Sequence, residues 1–303
     1  MYLYHYGLTQ LPFTITPNTA FYCDLDSHHE AFEVVSTALK TGEGFIKITG
    51  EVGTGKTLLC RRLLNEVPDF FETAYIPDSY LNPGELRLAI AEELGVSTKG
   101  LSNQQKLARA LQQKLLEISA KGKSVLILID EAQALPEESL EALRLLSNLE
   151  TEQRKLVHIV LIGQPELDER LSLKAFRQLR QRISFSHSLT AMNATELSTY
   201  IAHRMSVAGY KGTPIFNQKL VRRLHQASRG IPRLVNMLCH KMLLLAYGEG
   251  RHALTQKDLK LAVRDTEDTR DVSQPIRWWW FALPLVVIGV AGIAYFWRGA
   301  WLP

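Results

Sequence analysis

Residues 50–57 constrain the fold more than any other part of the chain. They read Gly-Glu-Val-Gly-Thr-Gly-Lys-Thr, matching G-x-x-x-x-G-K-[ST], and lie between a predicted strand at 45–49 and a predicted helix at 57–66. In this context the glycines let successive backbone N–H groups turn inward to hold phosphate oxygens, next to the positive end of a helix. The predicted phosphate-binding residues are Gly50, Glu51, Val52, Gly53, Thr54, Gly55, Lys56 and Thr57.

Two acids follow a run of apolar residues further along the chain. Val-Leu-Ile-Leu-Ile at 125–129 predicts a buried parallel strand, and Asp130 and Glu131 come directly after it. At the carboxyl edge of the sheet, Asp130 would join the Thr57 hydroxyl in holding Mg²⁺, and Lys56 would reach the β- and γ-phosphates. Glu131 is then placed to polarise the attacking water.

Polar residues after the last strands complete the predicted site. Gln164 follows a predicted strand at 158–162 and would orient the water, although Gln164-Pro165 also fits a turn that begins a helix. Three arginines, Arg177, Arg180 and Arg182, follow on one predicted helix at 175–182. Such arginines suit a developing phosphoryl charge, but they also fit a solvated basic face. Pro232 predicts a helix start that places Arg233 in the first turn, where it either reaches a nucleotide phosphate or is an ordinary exposed side chain.

The order of predicted elements indicates two kinds of structure. Strands at 45–49, 73–77, 125–129, 157–162 and 184–188 alternate with helices at 57–66, 102–120, 136–149 and 175–182, with another helix beginning at Asn82-Pro83. Alternation of this kind predicts a three-layer α/β domain with a parallel sheet. Only helices are predicted afterwards, at 193–208, 217–228, 232–247 and 255–264. We therefore expect an α/β core over 1–190, a helical lid over 191–265 and a linker over 266–277.

Residues 278–297 carry no charge and have tryptophan and tyrosine near both ends. As a helix rising about 1.5 Å per residue they would cross a bilayer, with the aromatic residues at its two interfaces. Arg264, Arg270 and Arg277 precede this stretch, and only Arg298 follows it. The positive-inside rule then predicts a cytoplasmic N-terminal part, one C-terminal transmembrane helix and a short non-cytoplasmic tail at 298–303.

Overall charge and scattered side chains exclude several other function classes. Thirty-five lysines and arginines against 31 acids give a net charge of +4, too small to indicate nucleic-acid binding by itself. Cys23, Cys60 and Cys239 are far apart and odd in number, which argues against a disulfide framework and favours a reducing compartment. The histidines show no ligand spacing, so Mg²⁺ is the only metal we expect.

These motifs together resemble those of the AAA+ ATPases. Phe13 after Pro12, Ile-Asp-Glu-Ala-Gln at 129–133, Gly-Gln-Pro-Glu-Leu at 163–167, Gln-Leu-Arg-Gln-Arg-Ile at 178–183 and Gly-Ile-Pro-Arg-Leu-Val-Asn at 230–236 resemble the GspA/ExeA group in particular. That group contains membrane-bound ATPases of bacterial secretion and pilus systems, and ATPases of MSHA-pilus biogenesis also end shortly after one membrane span. Peptidoglycan-binding members carry a periplasmic part, and six residues after the span are too few to carry that property over.

The resemblance also implies roles and partners. Gln164 would be at sensor 1, Arg233 at sensor 2, and Arg180, or else Arg182, would be the arginine finger acting on a neighbour's nucleotide. It implies ATP with Mg²⁺, a homo-oligomer in the inner membrane that is either a ring, as in a hexamer, or a filament, and pilus or type II secretion proteins as partners.

Two other functions stay open at this point. The chain could be a DNA-acting AAA+ ATPase of the transposition or origin-recognition type, although little sequence follows the lid for a winged-helix reader and nucleic acid is not an expected partner. It could also be a nucleotide-dependent scaffold with little turnover, although Glu131 favours hydrolysis.

Overall fold

A computed structural model describes residues 2–16, 18–97, 103–150 and 155–270. The strands are β1 Phe45–Gly50, β2 Phe71–Ile76, β3 Ser124–Ile129, β4 Val157–Gly163 and β5 Ile183–Leu189. The helices up to β5 are α1 Leu3–Tyr6, α2 Asp26–Lys40, α3 Lys56–Glu66, α4 Pro83–Glu93, α5 Gln104–Ala120, α6 Glu137–Leu146, α7 Glu166–Ser172 and α8 Arg177–Arg180. Those after it are α9 Ala194–Val207, α10 Gln218–Ser228, α11 Pro232–Gly248 and α12 Gln256–Arg264.

The strands form one parallel sheet in the order β2-β3-β4-β1-β5, as predicted for an α/β domain. Strand β3 shows why its sequence is apolar throughout. Val125, Ile127 and Ile129 pack toward α4, α5 and α6, whereas Leu126 and Leu128 pack toward α2 and α3. Successive side chains of a strand point to opposite faces, so a strand covered by helices on both faces needs apolar residues at every position.

This topology places the ends of three neighbouring strands together. In the sheet, β1 lies between β4 and β5, and β3 lies on the other side of β4. The phosphate-binding loop follows β1, Asp130 follows β3, and Gln164 follows β4. Because the strands are parallel, these three segments emerge at the same edge of the sheet.

After Leu189 the described residues contain helices only, which agrees with the predicted change from α/β to helical structure. Asn193 and Thr255 cap α9 and α12, each with a capping box closed by an acid three residues later. Residues near the N-terminus, within the predicted core over 1–190, contact this helical region. The Tyr2 hydroxyl lies 2.9 Å from His240 Nδ1, and the Thr9 N–H donates to the Ala208 carbonyl at 2.9 Å.

Several predicted elements differ from the observed ones. Helix α2 was not predicted, and the predicted helix at 175–182 is a 3₁₀ turn at Lys174–Phe176 followed by the short α8. The sequence left open whether Gln164-Pro165 begins a helix or places a side chain in the site. In the structure Pro165 is the N-cap of α7, and the Gln164 side chain contacts Glu131. The predicted start at Asn82-Pro83 is confirmed, with Asn82 and Glu85 forming a capping box.

The predicted transmembrane helix at 278–297 and the tail at 298–303 lie outside the described residues, as does most of the predicted linker. Among the residues that are described, no helix is both long enough and apolar enough to span a membrane.

Candidate nucleotide-binding site

The loop between β1 and α3 has the backbone conformation that its glycines predict. Gly53 has φ +82° and Gly55 has φ +101°, a region that side chains with a Cβ rarely adopt. A Cβ on Gly53 would lie 2.6 Å from Cβ of Arg233, and one on Gly55 would lie 2.7 Å from Nε2 of His28. The loop is thus closely packed on two sides, and glycine meets both the conformational and the steric requirement.

The Lys56 ammonium lies inside this loop. It donates to the carbonyls of Gly50, at 2.8 Å, and Glu51, at 3.1 Å. Burial lowers the pKa of this amine, and the carboxylates of Glu131 and Asp130 oppose that effect. A cation held by two loop carbonyls and facing two acids is placed to bind a phosphate group that enters the loop.

Asp130 and Thr57 meet at the mouth of the loop, as the sequence predicted. The Thr57 hydroxyl donates to Oδ2 of Asp130 at 2.9 Å. Burial raises the pKa of the Asp130 carboxyl, and the hydrogen bonds from Thr57 and from the Glu131 N–H partly offset that rise. Mg²⁺ prefers hard oxygen ligands, usually one or two carboxylates with substrate phosphates and water, and this pair of oxygens fits it.

Glu131 has a left-handed backbone, with φ +51°. Two side-chain amides donate to its Oε2: Gln133 Nε2 at 2.6 Å and Gln164 Nε2 at 2.9 Å. Burial alone would raise the pKa of this carboxyl, but the two amides and the Lys56 ammonium hold that pKa below its usual value. Glu131 is therefore held as a carboxylate beside the loop, with Gln164 in contact with it.

Gln133 is a residue that sequence analysis did not assign to the site. Its Oε1 accepts the main-chain N–H of Gln164 at 3.0 Å, so its amide joins the ends of β3 and β4. The Arg170 guanidinium donates to the carbonyls of Gln133 and Leu135, the latter at 2.7 Å, and fixes the 3₁₀ turn that follows Glu131. In the sequence, Gln133 stands two positions after Glu131. It was used there only as part of the Ile-Asp-Glu-Ala-Gln motif that resembles the GspA/ExeA group.

Arg233 lies beside the phosphate-binding loop, and its side chain is exposed. Pro232 is the first residue of α11, and the Arg233 N–H donates to the Gly53 carbonyl at 3.3 Å. Arg233 lines a cavity of about 270 Å³ together with Gly53, Lys56 and Glu131. The lid thus contacts the phosphate-binding loop directly.

The other predicted loop residues have different surroundings. Glu51 contributes its carbonyl to Lys56, and its side chain is exposed. Val52 lines the cavity with half of its surface exposed, whereas Thr54 is buried and its hydroxyl donates to the Glu51 carbonyl at 2.8 Å.

The three candidate fingers do not line the cavity. Arg180 is exposed on α8 and donates to the carbonyls of Leu171 and Ser172, at 3.4 and 3.0 Å. Arg182 donates to the Ser147 hydroxyl at 2.9 Å, and Arg177 is exposed. A finger acts on a neighbouring subunit, so the assignment of Arg180 or Arg182 stays a prediction.

Further cavity residues come from the N-terminal segment and from the lid, and the sequence analysis assigned none of them to the site. Thr14, Ile15, Thr16 and Asn18 from the N-terminal segment line it, as do Tyr200, Arg204 and Asn236 from α9 and α11. The contacts between the N-terminal segment and the lid span 192 and 222 positions, so the local sequence does not predict them.

Comparison with known proteins agrees with this geometry. Residues 39–171 match the AAA domain. General secretion pathway protein A of Aeromonas hydrophila is 38% identical to this chain over 299 residues, which cover 99% of the chain and 54% of that protein. The chain spans about half the length of this relative. The two findings support a GspA/ExeA-like AAA protein, as the motifs predicted, without singling out the MSHA-pilus members.

Solved structures with the same fold include two archaeal proteins. The Aeropyrum pernix ORC2 protein, in complexes with ADPNP and ADP, has a TM-score of 0.62 at 17% identity and covers 84% of this chain and 72% of its own. Cdc6p from Pyrobaculum aerophilum has a TM-score of 0.63 at 14% identity and covers 82% and 71%. At these identities the likeness shows the AAA-type fold alone.

Proposed function

We propose that this chain is an ATP-binding and ATP-hydrolysing AAA protein that supports assembly of a type II secretion machine or of an MSHA-like type IV pilus. The observation that carries the enzymatic part is the meeting of Lys56, Thr57, Asp130, Glu131 and Gln164 at one edge of the sheet. These side chains belong to three different segments, and each has the chemistry that one part of phosphoryl transfer to water needs.

The roles follow from the contacts. The loop N–H groups and the Lys56 ammonium would hold the phosphates, and Thr57 and Asp130 would hold Mg²⁺. Bound there, Mg²⁺ supplies positive charge against the phosphate oxygens. Glu131 would accept a proton from the attacking water, with Gln164 fixing the carboxylate, and Arg233 would bring a lid cation to the phosphates.

The biological part of the proposal is supported by the relative's name and by residues 278–297. That relative is called a general secretion pathway protein, and the chain matches about half of it. The uncharged, aromatic-flanked stretch supports anchoring in the bacterial inner membrane, with the ATPase part in the cytoplasm. Arg180 would then act in trans within a ring.

The enzymatic proposal is tested by measuring ATP binding and phosphate release with the full chain in detergent. Lys56→Ala is expected to abolish binding, because it removes the loop cation, whereas Lys106→Ala, an exposed residue on α5, should change neither quantity. Glu131→Gln should bind ATP and release phosphate at least a hundredfold more slowly. A wild-type rate no higher than that of Glu131→Gln would favour the scaffold function instead.

The partner proposal is tested by affinity capture from detergent-solubilised membranes. The Glu131→Gln variant, loaded with ATP, is compared with Lys56→Ala, which should not reach the ATP-bound state. Enrichment of pilus or secretion proteins in the first sample supports the proposal. Enrichment of transposase or DNA would favour the DNA-acting alternative.

A further inference from the structure

The cavity beside the phosphate-binding loop has a wall that comes from the N-terminal segment. We call residues 9–16 the strap; Thr14, Ile15 and Thr16 of this strap line the cavity. The strap carries no lysine or arginine, so it offers no cation for phosphate. An isoleucine side chain and two threonines instead suit the less charged part of a nucleotide, its base and ribose.

Two buried side chains of the lid hold the strap by its main chain. Arg204 of α9 donates from Nε to the Pro12 carbonyl at 2.6 Å, and Asn236 of α11 donates from Nδ2 to the Thr14 carbonyl at 3.2 Å. Thr9, at the start of the strap, donates its N–H and its hydroxyl to the Ala208 carbonyl just after α9. Gln10 Nε2 also donates to the Val207 carbonyl at 3.2 Å, so four residues of the strap are fastened to the lid.

Tyr200 joins the two lid side chains to each other. Its hydroxyl lies 2.9 Å from Arg204 Nη1 and 3.0 Å from Asn236 Oδ1. A guanidinium can only donate, so the hydroxyl accepts from Arg204 and gives its own proton to Asn236. This fixes the Asn236 amide with its oxygen toward Tyr200 and its nitrogen toward Thr14. We call Arg204, Tyr200 and Asn236 the latch.

The latch contains a buried cation without a carboxylate partner. Arg204 is only 7% exposed, and none of the ion pairs among the described residues includes it. Its guanidinium instead faces the rings of Phe21, at 4.8 Å, and Tyr200, at 5.5 Å. Burying a cation is costly unless it is hydrogen-bonded, and the Pro12 carbonyl and the Tyr200 hydroxyl each accept a hydrogen bond from Arg204.

Helix α11 connects the latch to the phosphate-binding loop. Arg233 and Asn236 are three positions apart on this helix, which places them on neighbouring parts of one face. The Arg233 N–H contacts the Gly53 carbonyl, while Asn236 contacts the strap. The first turns of α11 therefore reach both the loop side and the strap side of the cavity.

We propose that the latch makes the strap part of the lid and so positions the wall that receives the nucleoside end of the nucleotide. Arg204, Tyr200 and Asn236 are then positioning residues for nucleotide affinity, whereas the loop and Lys56 hold the phosphates. This inference rests on the proposed nucleotide binding and adds to it three positioning residues outside the phosphate-binding loop.

Tyr200→Phe tests the latch with the smallest change, since it removes one hydroxyl and no charge. Binding of ATP, ADP and inorganic tripolyphosphate to the full chain is measured by calorimetry in the presence of Mg²⁺. The affinities for ATP and ADP are expected to fall about tenfold each, the usual effect of losing a buried hydrogen bond, and that for tripolyphosphate to stay unchanged. Tyr210→Phe is the matched control, because its hydroxyl donates to the Thr213 carbonyl at 2.8 Å on an exposed part of the lid.

A second variant covers the case in which removing the Tyr200 hydroxyl changes the nucleotide affinity too little to measure. Arg204→Lys keeps the charge but loses the planar group that donates to Pro12 and Tyr200 from two different nitrogens. It should therefore weaken the binding of ATP and ADP more than Tyr200→Phe does and again spare tripolyphosphate. Unchanged ATP affinity in both variants would overturn the proposal. So would equal losses for ATP and tripolyphosphate, since these would mean general damage to the loop.

Hydrogen exchange of the strap amides gives a readout that needs no nucleotide. In the nucleotide-free protein, exchange at residues 9–16 should be faster in Tyr200→Phe than in Tyr210→Phe and the wild type. If the wild-type protein bound no nucleotide, the proposed function would fail, and this measurement would still decide whether the latch holds the strap. Equal exchange in all three proteins contradicts the latch.

Discussion

The side-chain amide of Gln133 donates to Oε2 of Glu131 at 2.6 Å. The other end of the same amide accepts the main-chain N–H of Gln164 at 3.0 Å, so Gln133 is held in one orientation. Since Gln164 also donates to this carboxylate oxygen, Glu131 is fixed by two amides from two different strand ends. The proposed catalytic carboxylate thus depends for its orientation on a neighbour that would itself touch no substrate.

Replacing Gln133 with leucine is expected to lower the rate of ATP hydrolysis by on the order of tenfold to a hundredfold, because the carboxylate loses one of its two anchors. The affinity for ATP should stay within about twofold, because Lys56 and the loop are unchanged. Gln113→Leu is the control, since Gln113 Nε2 donates to Glu117 at 3.1 Å on the exposed face of α5. An equal loss of affinity and rate would show that Gln133 acts on the whole loop.

Substitution of Gly53 by alanine is expected to weaken nucleotide binding strongly. The new Cβ would lie 2.6 Å from that of Arg233, and the residue would have to keep a φ of +82°. Gly122→Ala isolates the backbone part of this effect, because Gly122 has φ +80° and open space where its Cβ would lie. Both variants should lose about 1 kcal/mol of stability from the strained φ, and only Gly53→Ala should also raise the Kd for ATP. Similar Kd values for both variants would contradict the closeness of lid and loop.

Removal of the Arg180 guanidinium is expected to abolish most ATP turnover while leaving ATP binding intact, if Arg180 is the finger. An inactive Lys56→Ala protein still carries Arg180, so mixing it with Arg180→Ala should restore part of the activity. The exposed Arg109 on α5 provides the control, since Arg109→Ala should be active without a partner. Absence of recovery on mixing would assign the loss to the contacts of Arg180 with Leu171 and Ser172, and would leave Arg182 as the next candidate.

Replacement of Asp258 by asparagine is expected to destabilise the lid in a pH-dependent way. Asp258 is 1% exposed and accepts hydrogen bonds from Arg251, at 2.7 and 3.2 Å, and from Thr255, at 2.7 and 2.8 Å. Burial would raise the pKa of its carboxyl, but these bonds hold that pKa below its usual value. The stabilisation is therefore complete above the unfolded pKa of about 3.9 and is lost as the pH falls through the lower folded pKa.

Urea unfolding between about pH 3 and pH 7 measures this effect. At neutral pH, Asp258→Asn should lower the free energy of unfolding by about 2 kcal/mol, and the difference from the wild type should shrink below about pH 4. Asp265→Asn is a suitable comparison, because this acid pairs with Lys241 at 2.9 Å but is 80% exposed. It should change the stability by less than about 1 kcal/mol. A difference for Asp258→Asn that did not vary with pH would show that its charge is unimportant.

The parts of the site that sequence could predict are those in which chemistry and spacing are local. The loop at 50–57 and the acids at 130 and 131 each follow an apolar strand, and the parallel sheet then brings them together. The sheet itself was predictable because its central strands β3 and β4 are apolar at almost every position. Helix α2 had a usable signal in the spacing of Ala31, Val35, Ala38 and Leu39, which all lie on its buried face.

The parts that could not be predicted depend on long-range contacts. Pro12 meets Arg204 across 192 positions, and Thr14 meets Asn236 across 222. No periodicity links such residues, and a main-chain carbonyl carries no sequence signal. The role of Gln133 was closer to prediction, but it requires knowing that a 3₁₀ turn carries its amide back to both Glu131 and Gln164.

The bond between the Arg233 N–H and the Gly53 carbonyl joins main chain to main chain. Any residue other than proline at position 233 could therefore keep it. Substitutions there can remove the guanidinium while the mechanical link between lid and loop persists, so position 233 allows charge and closure to be studied separately. Changes at Gly53 act in the opposite sense, since they disturb the link and leave the arginine in place.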